Sequence, residues 1–347
     1  MILNAYAVLD GFLAILRLGL GLLVIFLALA TWRARRRRGD EVVASKREER
    51  GTLLFLAAFA LVGLAIVSWP VFYLLLQSYI PEWPGVMCIY GVTQIGAGSV
   101  GTARFLPDLL RSMQLLKPTL VFVGGAWLIL HLLNGRTATA PLAGRALLAL
   151  LAVGVLATGD AVAELAYLLV PKKEEFVTAG CCTQAFDGAE RFSRFLPHAL
   201  VEEPYRHWLN LAYFWLNGGM VVALFAALRL GWMRKWLALL AALLAATIVL
   251  NLVFLVETAA PALLHLPLHH CPYDLLPEVP ESTVTIGLFV LGSFAVGWAC
   301  VAAWLGRHRE TETLVPPLVA KLLSIGLFGY LGSLVMMALE LALARAR

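Results

Sequence analysis

The sequence predicts an all-α, polytopic integral membrane protein of about eight transmembrane helices. Of its 347 residues, 61% are hydrophobic and only 14% are charged, whereas a soluble domain carries about 25% charged residues. The apolar residues come in runs of about 20 or more, the length that a helix needs to cross a bilayer core of about 30 Å. Alternating stretches of about ten residues, which are typical of a membrane barrel, do not occur.

The predicted spans follow the apolar runs along the whole chain. They lie at 8–32, 52–76, 118–134, 144–170, 207–229, 236–260, 284–305 and 315–343. We expect them to form a single transmembrane helical domain over 1–347, in a cell inner membrane, with the lipid bilayer as the main partner. Other membrane or periplasmic subunits are further expected partners. The sequence contains no ATP-binding motif, which excludes a self-contained ATP-driven pump of the usual kinds.

Four consecutive arginines, Arg35–Arg38, follow the first span and fix the predicted orientation. Basic loops stay in the cytoplasm, so the loop 33–51 is predicted inside and both termini outside (N-out/C-out). The other predicted inside loops are short but still rich in Lys and Arg, which agrees with this orientation. The net charge of +5 is therefore attributed to topology, and no nucleic-acid partner is predicted.

Three long loops, 77–117, 171–206 and 261–283, fall on the predicted outside and are expected to form an extracytoplasmic cap. Long connections of this kind often carry function. The segment Arg104–Leu110 (RFLPDLL) in the first loop matches 194–200 (RFLPHAL) in the second. This match indicates a partial repeat of helix, cysteine loop and helix, and its apolar spacing suits a short interfacial helix.

Four of the five cysteines, Cys88, Cys181, Cys182 and Cys271, fall in these three loops. Thiols on the oxidising side of a membrane favour disulfides, so two bridges are expected, and three connectivities are possible. A vicinal Cys181–Cys182 bridge would leave Cys88 with Cys271, and the other two would tie the three loops together. Cys300 lies in the seventh span and is predicted to be a packed, inert side chain.

Two other interpretations of the cysteines stay open. Cys88, Cys181, Cys182, His269, His270 and Cys271 supply thiolate and imidazole donors, the ligand set that suits copper(I) or zinc. Alternatively, Cys181 and Cys182 are catalytic residues of thiol–disulfide exchange with a membrane carrier such as quinone. The chain has no CxxC spacing, so the cofactor remains unknown.

Ionisable residues inside a membrane span are expensive and often functional. Asp160 and Glu164 are four residues apart and share one face of the fourth span, where they are candidates for a cation or proton path. Arg17 is expected to pair with one acid. The remaining intramembrane polar candidates are Asn251, Glu257 and Glu340.

Three functional hypotheses follow from these features. The first is a transporter-like protein or an accessory subunit of an envelope complex, with a disulfide-stapled cap. The second is soft-metal handling through the Cys and His loops. The third is a thiol oxidoreductase coupled to quinone. Whether the chain is an enzyme is not decided by the sequence.

Overall fold

The computed structural model describes residues 4–36, 42–83, 86, 88–96, 101–170, 203–231, 234–266 and 269–346. Within these ranges the chain is all-helical and contains no β-strand. The eight long helices there are α1 Ala5–Arg36, α2 Val42–Ser78, α3 Leu106–Gly135, α4 Ala143–Leu169, α5 Glu203–Leu230, α6 Arg234–Phe254, α7 Pro280–Leu305 and α8 Val315–Ala346.

Each long helix, in some cases together with the short helical turns that adjoin it, provides a segment of 24 to 34 residues that is long and apolar enough to cross a membrane. The prediction of about eight helices of this length and composition is therefore confirmed for the described part of the chain. The composition of these helices supports a multi-pass membrane protein. The N-out/C-out orientation and the cap made of three loops stay predictions.

The largest difference from the predicted spans concerns α3. The sequence placed its start at residue 118, whereas the helix begins at Leu106 directly after a 3-10 turn at Thr102–Phe105. The charge of Lys117 and the imino acid Pro118 interrupt the apolar run, but the helix continues through both. The segment 104–110 thus comprises the end of the 3-10 turn and the first residues of α3, and it is not a separate interfacial helix. Its second copy, 194–200, lies outside the described residues.

Two of the described glycines before α3 adopt a backbone conformation that favours glycine. Gly96 and Gly101 both have positive φ angles, +90° and +100°, which residues with a Cβ rarely adopt. A Cβ on Gly96 would lie 2.1 Å from the carbonyl oxygen of Ala103. The short helix Ile89–Thr93 before this turn is largely buried, so the described part of loop 77–117 is packed structure.

The chain divides into two compact units, which are described separately. Unit 1 comprises Met1–Gly180 and His308–Thr311, and unit 2 comprises Cys181–Arg307 and Glu312–Arg347. In the described residues, α1 to α4 belong to unit 1 and α5 to α8 to unit 2. The expectation of one transmembrane domain over the whole chain stays a prediction.

In unit 1, α4 packs against α1 on one side and α3 on the other. Gly11 lies near Leu168, whereas Gly21 lies near Gly154, so α1 and α4 run antiparallel. A Cβ on Gly154 would lie 2.7 Å from the Ile25 side chain and 3.2 Å from the Gly21 carbonyl oxygen. Small residues let membrane helices approach closely, and this approach brings the side chains further along both helices into contact.

In unit 2, α7 and α8 make the most extensive contact, and glycines again permit it. A Cβ on Gly329 would lie 2.7 Å from the backbone of Gly292 and equally close to the Leu288 carbonyl oxygen. On the other side of the unit, the Tyr213 and Phe254 rings stack with centroids 3.8 Å apart. These contacts hold α5 to α8 as one bundle.

α6 does not end as a regular helix. It passes into a single π turn, Leu255–Ala259, and then into one further α-helical turn, Ala260–Leu263. The Ala260 N–H donates to the Leu255 carbonyl, five residues back, so the Val256 carbonyl loses its α-helical donor. Pro261 has no N–H and removes a second regular bond at the same place.

Candidate functional site

Five charged side chains are buried together in unit 1, and we call them the charge cluster. α1 supplies Asp10 and Arg17, α3 supplies Lys117, and α4 supplies Asp160 and Glu164. Lys117 is 2% exposed and the other four are fully buried. Because ions in a low-dielectric interior need partners or ligands, this concentration of charge is the main candidate site of the described residues.

Helical spacing explains how two helices each contribute a pair. Asp10 and Arg17 are seven residues apart, which is about two turns, so they lie on one face of α1. Asp160 and Glu164 are four residues apart and lie on one face of α4.

Each cation of the cluster contacts both α4 carboxylates. Arg17 pairs with Asp160 through Nη1, and its Nη2 lies 2.6 Å from Glu164 Oε1. Lys117 Nζ donates to Glu164 Oε2 and lies 3.1 Å from Asp160 Oδ2. Arg17 was expected to pair with one acid, and it contacts two. Two cations and two carboxylates thus form a closed, charge-balanced arrangement.

Asp10 is the fifth member, and it has no cation of its own. Its carboxyl lies against that of Glu164, yet no N–H or O–H group of the described residues donates to either of its oxygens. Tyr79 and Tyr167, both fully buried, lie within electrostatic range of it. Asp10 is therefore a surplus carboxylate beside a balanced set of four charges.

Two aromatic side chains, Phe72 and Tyr167, border the cluster beside Lys117. Lys117 Nζ lies 4.9 Å from the centroid of the Phe72 ring on α2, a cation–π distance. The Phe72 ring in turn meets the Tyr167 ring edge to face at 6.5 Å. At this end of the unit, the Asn4 amide of α1 donates to the Ser78 hydroxyl of α2 at 2.8 Å. All four helices of unit 1 thus contribute to the surroundings of the site.

Sequence reasoning found three of the five members and missed two. Lys117 was assigned to the loop 77–117 and not to a span. This is corrected by α3, because Lys117 lies within the apolar helical segment Thr102–Gly135. Asp10 was not singled out at all. The available signal was its spacing of seven residues from Arg17, which places both on one helix face.

In unit 2, a second pair of buried ionisable side chains lies at the π turn, with Glu257 in the turn and His270 packed against it. The His270 Nδ1 lies 3.2 Å from the Val256 carbonyl oxygen and 3.6 Å from Glu257 Oε2. A carbonyl oxygen can only accept a hydrogen bond, so this contact places a proton on Nδ1. Both side chains are about 1% exposed, and π turns often occur at functional sites.

The remaining intramembrane polar candidates make hydrogen bonds between helices of unit 2. Asn251 on α6 donates to the Asn217 side chain on α5 at 3.1 Å. Thr285 on α7 donates to Glu340 on α8 at 2.5 Å. In membranes, such bonds help to hold helices together, and this is the role that their geometry indicates.

The adjacent histidines of the third loop have different partners. His269 Nε2 lies 2.7 Å from Asp274 Oδ2, whereas His270 lies against the π turn. Cys271 is fully buried. The structure therefore gives His269 and His270 separate surroundings, and the metal site that would use both of them stays a prediction.

The other predicted cysteine residues fall in different parts of the chain. Cys88 is buried at the start of the short helix Ile89–Thr93 in unit 1. Cys181 and Cys182 lie outside the described residues, so the predicted bridges and the predicted thiol chemistry stay predictions. Cys300 is buried on α7 with its Sγ 3.7 Å from the Leu237 carbonyl oxygen, as expected of a packed side chain.

The five charges of the cluster do not balance. With all five groups ionised, two cations face three carboxylates, and the net charge is −1. One additional positive charge makes the buried cluster neutral.

The chain matches no protein-family model, no curated protein and no solved structure.

Proposed function

We propose that this chain is a transporter-like membrane protein in which the charge cluster binds a coupling cation. The observation that carries the proposal is the surplus carboxylate, Asp10, in a fully buried group of ionisable residues. A purely structural ionic staple needs equal numbers of opposite charges, and Arg17, Lys117, Asp160 and Glu164 already provide that balance. A third buried carboxylate adds a desolvation cost that a bound cation offsets.

The position of the cluster also supports transport. Its residues come from three helices that are each long enough to span a membrane, and intramembrane ionisable groups mark ion pathways in many such proteins. A cation that binds and leaves changes the charge of the cluster between −1 and 0. This change alters the attraction between α1, α3 and α4, and it can thereby be coupled to helix movement.

The test is a charge-displacement measurement on the full chain in proteoliposomes adsorbed to a capacitive electrode. A rapid jump in pH or in Na⁺ concentration should give a transient current, because a cation enters the buried cluster. Asp160→Asn should abolish the current while expression and thermal stability in detergent are largely retained. Asp108→Asn, which changes an exposed acid on α3, should behave as the unchanged protein.

Two results would count against the proposal. One is the lack of a current in the unchanged protein with both ions. The other is a current in Asp160→Asn that equals that of Asp108→Asn. In either case the cluster would be only a structural element of unit 1.

A disulfide-stapled cap formed by Cys88, Cys181, Cys182 and Cys271 belongs to the same proposal. Mass mapping after thiol trapping, with and without reductant, should find two bridges, and metal analysis of the same sample should find no stoichiometric copper or zinc. If these cysteines are instead free thiols, without disulfide bonds, and the sample contains a stoichiometric metal, the metal-handling alternative is established. A redox state that shifts on addition of quinone would establish the oxidoreductase alternative.

A further inference from the structure

We propose that the coupling cation is a proton and that it binds between the carboxyl groups of Asp10 and Glu164. This inference rests on the proposed function and names the ion that the charge cluster takes. It concerns a residue, Asp10, that the sequence pattern did not single out.

The donors around the three carboxylates distinguish Asp10 from the other two. Asp160 and Glu164 each contact both Arg17 and Lys117, which favours their ionised forms. Asp10 receives no N–H or O–H donor from the described residues. Two carboxyl groups in contact cannot readily both ionise, so a proton held between Asp10 and Glu164 resolves the repulsion.

The backbone around the cluster does not favour a metal cation. Sites for Na⁺ in transporters use carbonyl groups freed by unwound helices. α1 and α4 are continuous at the residues of the cluster and contain no proline, so their carbonyl groups there remain in helical hydrogen bonds. Arg17 and Lys117 also contact the carboxylates of Asp160 and Glu164, which a metal ion would need as further oxygen ligands. A proton needs only one carboxyl oxygen and one acceptor.

The groups facing Asp10 are known from each element packed against it. They are Arg17 on its own helix, Lys117 from α3, Glu164 and Tyr167 from α4, and Tyr79 at the end of α2. Asp10 lies about 10 Å from Arg17 along α1, at about 1.5 Å per residue. It lies on the side toward the start of α1, so it is the member of the cluster nearest to that end of the unit.

The binding step is a simple protonation. A hydronium ion transfers its proton to a carboxylate oxygen of Asp10, and one water molecule is released. The new O–H donates to Glu164, and the charge of the cluster changes from −1 to 0. No electrons move, and release of the proton reverses the step.

Infrared difference spectroscopy on the full chain in lipid nanodiscs tests this assignment. A pH jump should produce a carboxylic acid C=O band, which shifts in D2O. Asp10→Asn should lose this band and also the pH-jump current, whereas Asp108→Asn should retain both. Asp10→Asn mimics the neutral acid in shape and charge, so it is expected to fold. Asp10→Glu should restore the band at a shifted frequency.

The outcomes separate this inference from the proposed function. A carboxylic acid band that persists in Asp10→Asn would overturn the assignment of Asp10. A current that follows Na⁺ jumps at constant pH, and not pH jumps, would overturn the proton while leaving a cation-coupled transporter in place. The expected result is that Asp10→Asn loses the band and that a jump in Na⁺ concentration at constant pH gives no current.

Discussion

At the scale of single residues, Arg17 is the buried cation on which the cluster depends most. Its guanidinium contacts two carboxylates and is fully buried. We expect Arg17→Gln to lower the free energy of unfolding by about 3–5 kcal/mol, because it leaves Lys117 as the one cation of the cluster beside three buried carboxylates. Chemical unfolding of the purified protein in detergent measures this difference.

The matched variant is the double substitution Arg17→Gln with Asp160→Asn. It removes one cation and one carboxylate together, so it should lose less stability than Arg17→Gln alone. A double-mutant cycle on these two residues then gives their coupling energy. Equal stability of Arg17→Gln and the unchanged protein would show that the ion pairs contribute nothing.

Glu310 illustrates a residue-scale effect at the surface of unit 1. Its carboxylate accepts hydrogen bonds from the Thr139 hydroxyl and from the Thr139 backbone N–H at 3.1 Å. Hydrogen bonds to the ionised form lower the pKa of Glu310 in the folded state. Because the folded-state pKa is depressed, the contribution to stability is present above the unfolded-state pKa. It is lost as the pH falls through the folded-state pKa.

We therefore expect Thr139→Val to raise the pKa of Glu310 toward its usual value. The variant should be slightly less stable than the unchanged protein at neutral pH and equally stable at strongly acidic pH. Unfolding curves measured over this pH range test the expectation. The exposed Thr313 provides a control, since Thr313→Val should show no such pH dependence. A stability difference that stays constant down to acidic pH would refute the assignment.

Members of the charge cluster could be predicted from the sequence when their partners are near in the sequence, and not when their partners are distant. The spacing of Asp160 and Glu164 is local, so helical periodicity was enough to place them together. Lys117 is stabilised by partners 43 and 47 residues away in sequence. Without those partners a lysine beside Pro118 looks like the end of an apolar span. The sequence pattern contains no signal for such distant neutralisation.

At the scale of helices, glycines determine how closely two elements approach. We expect Gly329→Ala to lower the free energy of unfolding by about 1–3 kcal/mol, as overpacking does. Its new Cβ would meet the backbone of α7, which has no flexible end to move aside. Gly287→Ala on α7 is the control, since a Cβ there meets nothing within 4 Å. Thermal denaturation in detergent should rank the two variants clearly.

The result that would contradict this interpretation is equal destabilisation by both substitutions. The α7–α8 contact would then not depend on the close approach at Gly329.

The position of such contacts was not predictable from the spans, because hydropathy does not distinguish a glycine that faces lipid from one that faces another helix. The π turn of α6 escaped prediction for a similar reason, since the apolar run continues through Leu255–Ala259 without interruption.

At the scale of the whole molecule, eight spanning helices require both termini to lie on the same side of the membrane. The arginine run after α1 predicts that this side is the outside. A C-terminal fusion to alkaline phosphatase should then be active in a bacterial host, and a C-terminal fusion to green fluorescent protein should be dark. Fusions placed after Arg309 should give the reverse pattern. A fluorescent C-terminal fusion would overturn the predicted orientation.

The number of helices was predictable because composition and run length are properties of the chain itself. The orientation and the state of Cys88, Cys181, Cys182 and Cys271 depend on the surroundings of the protein, namely on the insertion machinery and the redox compartment. For these properties the sequence supplies an expectation, and labelling or fusion experiments supply the answer.

The charge cluster also has a consequence for biogenesis. Arg17 and its partner Asp160 are 143 residues apart, so α1 is synthesised with two charges long before α4 exists. Insertion of a charged residue at the centre of a helix costs about 2.5–3.5 kcal/mol. A nascent chain ending after α2 should therefore be degraded faster than one ending after Val170, as pulse-chase measurements can show. The translocon would have to retain the first helix until its partners arrive.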